Sequence, residues 1–240
     1  MNNDNAWKYV AVCFVMLAVS ACAHSSGTDP HEMSAAQHEA AATREQEQGA
    51  AHAAQHDPNA TMEQTECPSG ERTVCWTKTV NPTAGHIKSS DEHTQLAAQH
   101  RAASQTLRTA EATACAGLRD QDRDTSPFAH TADIQGVTEL KAQGPSYQGS
   151  TGTDGGATVV FRATKGLTVE WLQRIVNCHL ARNAALGHDV PEMPYCPLVP
   201  NGVQAKVRSV GDGFAVDVTS KDPATAAEIW RRANQLTAAR

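Results

Sequence analysis

Large apolar side chains are distributed unevenly along this 240-residue chain. Counting Val, Ile, Leu, Met, Phe, Tyr and Trp, residues 23–128 carry 10 in 106 positions and residues 129–240 carry 29 in 112. Burial free energy scales with the apolar area removed from water. Only the second stretch can therefore build an ordinary core. The first must be a thin helical assembly, a stalk or a partly disordered segment. The hydrophobic fraction of 40% hides this asymmetry, because 40 residues of the chain are Ala.

In the second stretch, residues 133–142 alternate moderately through Ile134, Val137 and Leu140, and residues 157–163 read as a buried strand. A Gly/Ser/Thr/Gln run at 144–156 separates them as a loop. A helix is predicted over 168–186 with Leu172, Ile175, Val176, His179 and Leu180 on its inner stripe and Gly187 as its stop. Val203, Ala205 and Val207 alternate with polar residues, Gly211-Asp212-Gly213 makes a turn, and Phe214, Val216 and Val218 alternate again, which is a hairpin with one buried face. Asp222-Pro223 then caps a last helix with Ala226, Ile229, Trp230, Ala233 and Leu236 inward. The order (β)β-α-β-β-α is that of an α+β two-layer sandwich with both helices on one sheet face. Between its first helix and the hairpin, Pro191, Pro194, Pro197 and Pro200 fall at threes. That period predicts a polyproline II rod. Met193, Tyr195 and Leu198 on this rod offer a docking segment for a protein partner; the alternative is a rigid packed crossover.

The apolar-poor stretch has a different period. Eight of the 11 histidines lie between residues 24 and 100. His31, His38, Glu45 and His52 are seven apart, as are His86, His93 and His100. Ala-Ala-Gln-His recurs at 35–38, 53–56 and 97–100. Two helices are expected. The first starts at Asp29-Pro30, with Glu32 closing a capping box, and stops before Asp57-Pro58. The second runs from Ser89, or a turn earlier, to about Ala116, with His93, Leu96, His100, Ala103 and Leu107 on a heptad seam. The first helix has no large apolar residue on its seam, so it is expected to fray or serve as a tether.

Seven residues span about 10.5 Å of helix, whereas zinc sits about 2.0 Å from an imidazole nitrogen. Neighbours in a stripe therefore cannot share a metal; a site needs an i,i+4 pair or a facing helix. His52 and His56 form such a pair, and two antiparallel helices would bring the His31/His38 stripe against His93 and His100. His52, His56, His93 and His100 are thus the candidate ligands for Zn or Cu. The bland alternative is that they are polar fillers on a solvated helix.

The leader sets the compartment. Residues 9–19 form an apolar run of about 11 residues, too short to span a bilayer and the size of a signal-peptide core. It ends in Val19-Ser20-Ala21-Cys22. This resembles the lipobox of bacterial lipoproteins. The resemblance covers only the first 22 residues. It implies cleavage of signal peptide 1–21, diacylglycerol on the Cys22 sulfur and acylation of the new N-terminus, which together give stable membrane anchoring. Ala23, in place of Asp, resembles the outer-membrane default, with the periplasmic face as the location; Asp would favour the inner membrane. On this reading 22–128 is a His/Ala-rich helical segment, partly disordered, and 129–240 is the α+β domain.

In an oxidising compartment the remaining cysteines should mostly pair. Cys67 with Cys75 closes a small loop, and Cys178 with Cys196 is the second expected bridge. Cys115 is then left over, or takes Cys67 or Cys75. The rival for the second pair is a zinc set of Cys178, His179, His188 and Cys196.

A net charge of −6 excludes the basic excess that nucleic-acid binding requires. No hydrolase elbow, zincin, phosphate-loop or dinucleotide motif is present. The expected role is non-enzymatic, either binding or structural in the envelope. The first alternative is a periplasmic metal-binding protein using its His-rich helices. The second is a hydrolase-like enzyme built on His130, His179 or Cys178.

Overall fold

The computed structural model describes residues 32–67, 74–142 and 154–238. In chain order the elements are α1 (Ala35–Gln55), β1 (Met62–Glu66), β2 (Trp76–Val80), α2 (Ala84–Ala114), α3 (Asp120–Asp124), two short 3-10 turns, β3 (Ile134–Leu140), β4 (Gly155–Phe161), α4 (Val169–Ala185), β5 (Gln204–Val210), β6 (Gly213–Ser220) and α5 (Pro223–Ala238). The class is α+β, as the residue pattern predicts.

The C-terminal sheet is antiparallel throughout, in the order β3-β4-β6-β5. Its alternation puts Ala157, Val159 and Phe161 opposite Val218, Val216 and Phe214 on one face. Leu172 and Val176 of α4 and Ile229, Ala233 and Leu236 of α5 pack on that face, so both helices share one layer. The other face is polar: Thr158 Oγ1 donates to Asp217 Oδ1 at 2.7 Å, and Arg208 Nε donates to Asp217 Oδ2 at 2.7 Å. Gly211, at φ 54, supplies the positive-φ first position of the two-residue hairpin turn. On the β5 edge, the Gln173 side chain from α4 accepts from Val207 N and donates to Ala205 O, satisfying backbone groups that an edge strand leaves open. Thr168 caps α4 through Trp171 N, and Asp222 caps α5 through Thr225 N.

The proline series is not a polyproline II rod. Met193 N donates to Val190 O at 3.0 Å, Cys196 N to Met193 O at 3.1 Å and Val199 N to Cys196 O at 3.4 Å. Each link is a turn with proline second, at Pro191, Pro194 and Pro197; polyproline II has no such internal bonds. The turns aim Val190, Met193, Cys196 and Val199 inward, and Leu198 is also buried. Two of the three side chains expected to dock a partner, Met193 and Leu198, therefore belong to the domain's own core. Asn183 Nδ2 donates to Leu198 O at 2.9 Å and His188 Nδ1 donates to Val199 O at 2.8 Å, which ties the turns to the end of α4.

The second disulfide also differs from expectation. Cys67 and Cys75 are bonded, but Cys178 is bonded to Cys115, and Cys196 is a buried free thiol. The reason is the packing of the α2 end on α4. Arg174 Nη2 donates to Ala116 O at 2.6 Å, and Arg182 Nη1 lies 3.4 Å from Glu111 and 3.3 Å from Asp124. The proline turns carry Cys196 instead to Ser126, with Sγ 3.3 Å from its Oγ. Phe128, the last residue of the expected helical segment, is 0% exposed and packs against Phe161 in the sandwich core.

Helix α1 starts later than expected: residues 32–34 are not helical, and Ser34 caps it in a reciprocal box with Gln37. The expected cap Asp29 lies outside the described residues. Helix α2 starts at Ala84, a turn before Ser89. Between them, β1 and β2 form a hairpin closed by Cys67–Cys75.

Candidate functional site

The two heptad series meet. Helices α1 and α2 run antiparallel, and residues whose numbers sum to 138 face each other: His38 with His100, Glu45 with His93, His52 with His86. Small side chains permit this. Ala35, Ala41, Ala42 and Gly49 are buried on α1, and Ala97 and Ser104 on α2. A Cβ at Gly49 would lie 3.2 Å from Ser90 O and 3.4 Å from His93 Cβ, so a larger residue there requires the facing helix to give by a few tenths of an ångström. Ser104 Oγ donates to Ala35 O at 2.9 Å, and Arg101 donates to Gln46. The helix expected to fray is thus docked along its described length by small-residue packing and polar pairs rather than by large apolar groups.

The seam is built of imidazoles. Nδ1 of His38 and Nδ1 of His100 are 2.9 Å apart, and Nδ1 of His52 and Nδ1 of His86 are 3.2 Å apart. In neutral rings one nitrogen of each pair donates and the other accepts. The His93 ring lies parallel to that of His52, 9° between planes and 5.4 Å between centroids. His93 Nδ1 donates to Glu45 Oε2 at 2.6 Å. All these rings are only partly covered except His38, which is 5% exposed.

The candidate ligands are therefore distributed differently from the expected set. His52 and His56 do not converge. His56 is the C-cap of α1, at φ −83 and ψ 123, so its side chain has left the helical face, and its Nδ1 sits 3.3 Å from Thr83. His93 and His100 each have a separate partner on α1. His86, His38 and Glu45, absent from the expected ligand set, complete the pairs; their heptad spacing was the available signal. His31 lies outside the described residues. As the side chains stand, no three His, Cys, Asp or Glu groups among the described residues converge on a metal position.

Two of the three sandwich residues considered for catalysis, Cys178 and His179, have structural partners. Cys178 is in a disulfide and holds no thiol. The same bond removes the zinc set of Cys178, His179, His188 and Cys196. Burial pushes the Cys196 thiol up, away from thiolate. His179 is 0% exposed; its Nε2 donates to Thr125 O at 3.0 Å and its Nδ1 has no partner. His130 lines a cavity of about 340 Å³ with Asp122, Asp133, Lys165 and Trp171. His188 is engaged with Val199 and His179 with Thr125, so those two rings are held by separate partners.

Burial pushes the His179 imidazole below the ordinary histidine range, against the nearby Asp122 and Thr125 backbone carbonyls, which favour the charged ring. Burial likewise lowers His188, against its bond to Val199. The folded chain holds both neutral, while the unfolded chain takes up protons below about pH 6.5. Stability from these two groups is therefore complete above that pH. It is lost on acidification from there through the folded values, at up to about 1.4 kcal/mol per pH unit for each ring. Denaturant midpoints at pH 7.5 and 5.5 check this: a lower midpoint at pH 5.5, with the difference reduced in His179→Gln, is expected, and equal midpoints contradict it.

Set against family models, curated proteins and solved structures, the chain has no match in any of the three.

Proposed function

We propose that this chain is a lipid-anchored envelope protein, attached through Cys22 to the outer membrane on its periplasmic side, with a non-enzymatic binding or structural role. The observation that carries the reading is Val19-Ser20-Ala21-Cys22 placed directly after an apolar run of signal-core length. Four of the five cysteines beyond Cys22 are disulfide-bonded, which suits an oxidising compartment. Among the described residues no helix is long and apolar enough to cross a membrane, so in this reading attachment rests on the lipid. The structural employment of Cys178, His179 and His188 favours binding over catalysis. Expressed in a Gram-negative host, the chain is expected in the membrane fraction, released by detergent. Cys22→Ala is expected to move it to the soluble fraction or leave it unprocessed. Recovery of the unmodified chain in the soluble periplasmic fraction would overturn the proposal.

A second reading, a metal-binding role for the His-rich helices, is favoured by the imidazole nitrogens facing each other across the α1–α2 seam.

A further inference from the structure

We propose that the cavity between α3 and the start of α4 is a binding site for a small aromatic carboxylate. The inference rests on the binding role proposed above and gives it a place and a ligand class. At about 340 Å³ the cavity lies at the low end of the range for small-molecule sites. Local chain geometry makes it. Phe161 closes β4, and residues 162–166 are then exposed, with Gly166 at φ 85 and Leu167 N donating to Thr164 O at 3.0 Å. Thr168 caps α4, which brings Trp171, Leu172 and Ile175 to the same cavity. Its other wall comes from α3 and from Pro127, next to the fully buried Phe128. Phe161, Leu172 and Ile175 are buried and make an apolar floor. Leu167 and Trp171 are only partly covered, so apolar area remains for an occupant to bury. The two aromatic side chains, Phe161 and Trp171, favour a flat ring as the body of that occupant.

Charge at the cavity selects the sign of the ligand. Asp122 Oδ2 accepts from Arg119 Nε at 3.1 Å, and Asp133 Oδ1 accepts from Arg162 Nε at 2.8 Å. Both carboxylates that line the cavity are thus already matched by arginines. Lys165, exposed on the turn after β4, has no ion-pair partner among the described residues. One positive charge is left over beside an apolar floor, which is the complement of a ring with one anionic end. His130, also exposed and lining the cavity, adds an imidazole N–H as a further donor to a carboxylate. A cationic ligand would have to displace an arginine from Asp122 or Asp133. A sugar would need uncommitted acceptors for its hydroxyls, and besides the two paired carboxylates the Thr125 carbonyl is taken by His179 Nε2 at 3.0 Å.

The test titrates the full untagged chain with 2-naphthoate at pH 7.5 and follows amide and indole resonances by nuclear magnetic resonance. Saturable binding of one equivalent is expected, with a Kd of about 1 mM or below, the affinity usual for a ligand this small. The Trp171 indole and amides within 119–133 and 161–175 are expected to shift, while the indoles of Trp76 and Trp230 stay in place. Lys165→Glu is expected to weaken binding about 5-fold, the scale of an exposed ion pair. Thr164→Trp, which sets a ring into the cavity from an exposed turn, is expected to abolish it. 2-Naphthylmethylamine, with a similar body and a cationic end, is expected to bind more weakly than naphthoate. Equal or tighter binding of the amine, or an unchanged Kd in Lys165→Glu, overturns the anionic class. Shifts centred on Trp76 or Trp230 overturn the site, and so does the absence of saturable binding. Should either variant fail to fold, the shift map of the unmodified chain and the comparison of naphthoate with the amine decide the matter. Membrane attachment is decided separately, by the Cys22→Ala fractionation, so failure of the site and failure of the anchored reading are distinguishable.

Discussion

Replacing Cys115 by Ser is expected to lower the unfolding free energy by about 4 kcal/mol. The bond to Cys178 closes a loop with a sequence separation of 63. In the chain-entropy account the constraint on the unfolded chain grows with the logarithm of loop length, giving about 4.3 kcal/mol for a loop of this size. Against a typical stability of about 5–15 kcal/mol this is a large share. The bond also joins the end of α2 to the middle of α4, where Arg182 with Glu111 and Asp124 is a partly exposed pair worth little by itself. Without the disulfide, the helix pair is held to the sandwich chiefly by that surface and by the 116–128 connection. A lowered guanidinium midpoint, with loosening of α2 detected by hydrogen exchange, is the predicted outcome. A variant as stable as the unmodified chain would show that the packing alone fixes the junction. Loss of Cys67–Cys75 should act more locally: it closes a separation of only 8, and the exposed β1–β2 strands it staples contribute nothing to the core.

Phe128→Ala is expected to cost about 3–5 kcal/mol, the range for removing a buried aromatic ring. Phe128 is 0% exposed, with its ring 5.7 Å from that of Phe161 on β4. Ser126 caps the short turn that delivers it, its Oγ accepting from Phe128 N at 3.3 Å. A fragment begun at residue 129 lacks this ring as well as Cys115, and should be less stable than one begun at residue 115. Urea unfolding of both fragments and of the substituted full chain measures the effect. Equal midpoints would mean that the core closes without the ring.

Which features were legible in the residues follows from how local their causes are. The β5–β6 hairpin is read from alternation and a glycine turn, α4 from a stripe and its Gly187 stop, and α5 from a stripe and its Asp222 cap; each signal lies within or beside the element it specifies. The β1–β2 hairpin has no such signal. Met62–Glu66 and Trp76–Val80 are mostly exposed on both faces, so no hydrophobic alternation marks them. The proline period was visible but ambiguous, since polyproline II and successive proline turns share a repeat of three. The apolar repeat through Val190, Met193, Cys196 and Val199 favoured turns with a buried side. The Cys115–Cys178 bond depends on which helix packs where, a tertiary choice not encoded in spacing. The seam lies between these cases: its heptads were legible on each helix, but the offset pairing His52 with His86 is set by the antiparallel docking across the β1–β2 connection.

The most direct measurement is the mass of the N-terminal peptide of the mature protein isolated from a bacterial envelope. The account predicts a chain that begins at Cys22, carrying a thioether-linked diacylglycerol and an N-linked fatty acid. A mature chain that begins at another residue, or a Cys22 peptide without fatty chains, would contradict it.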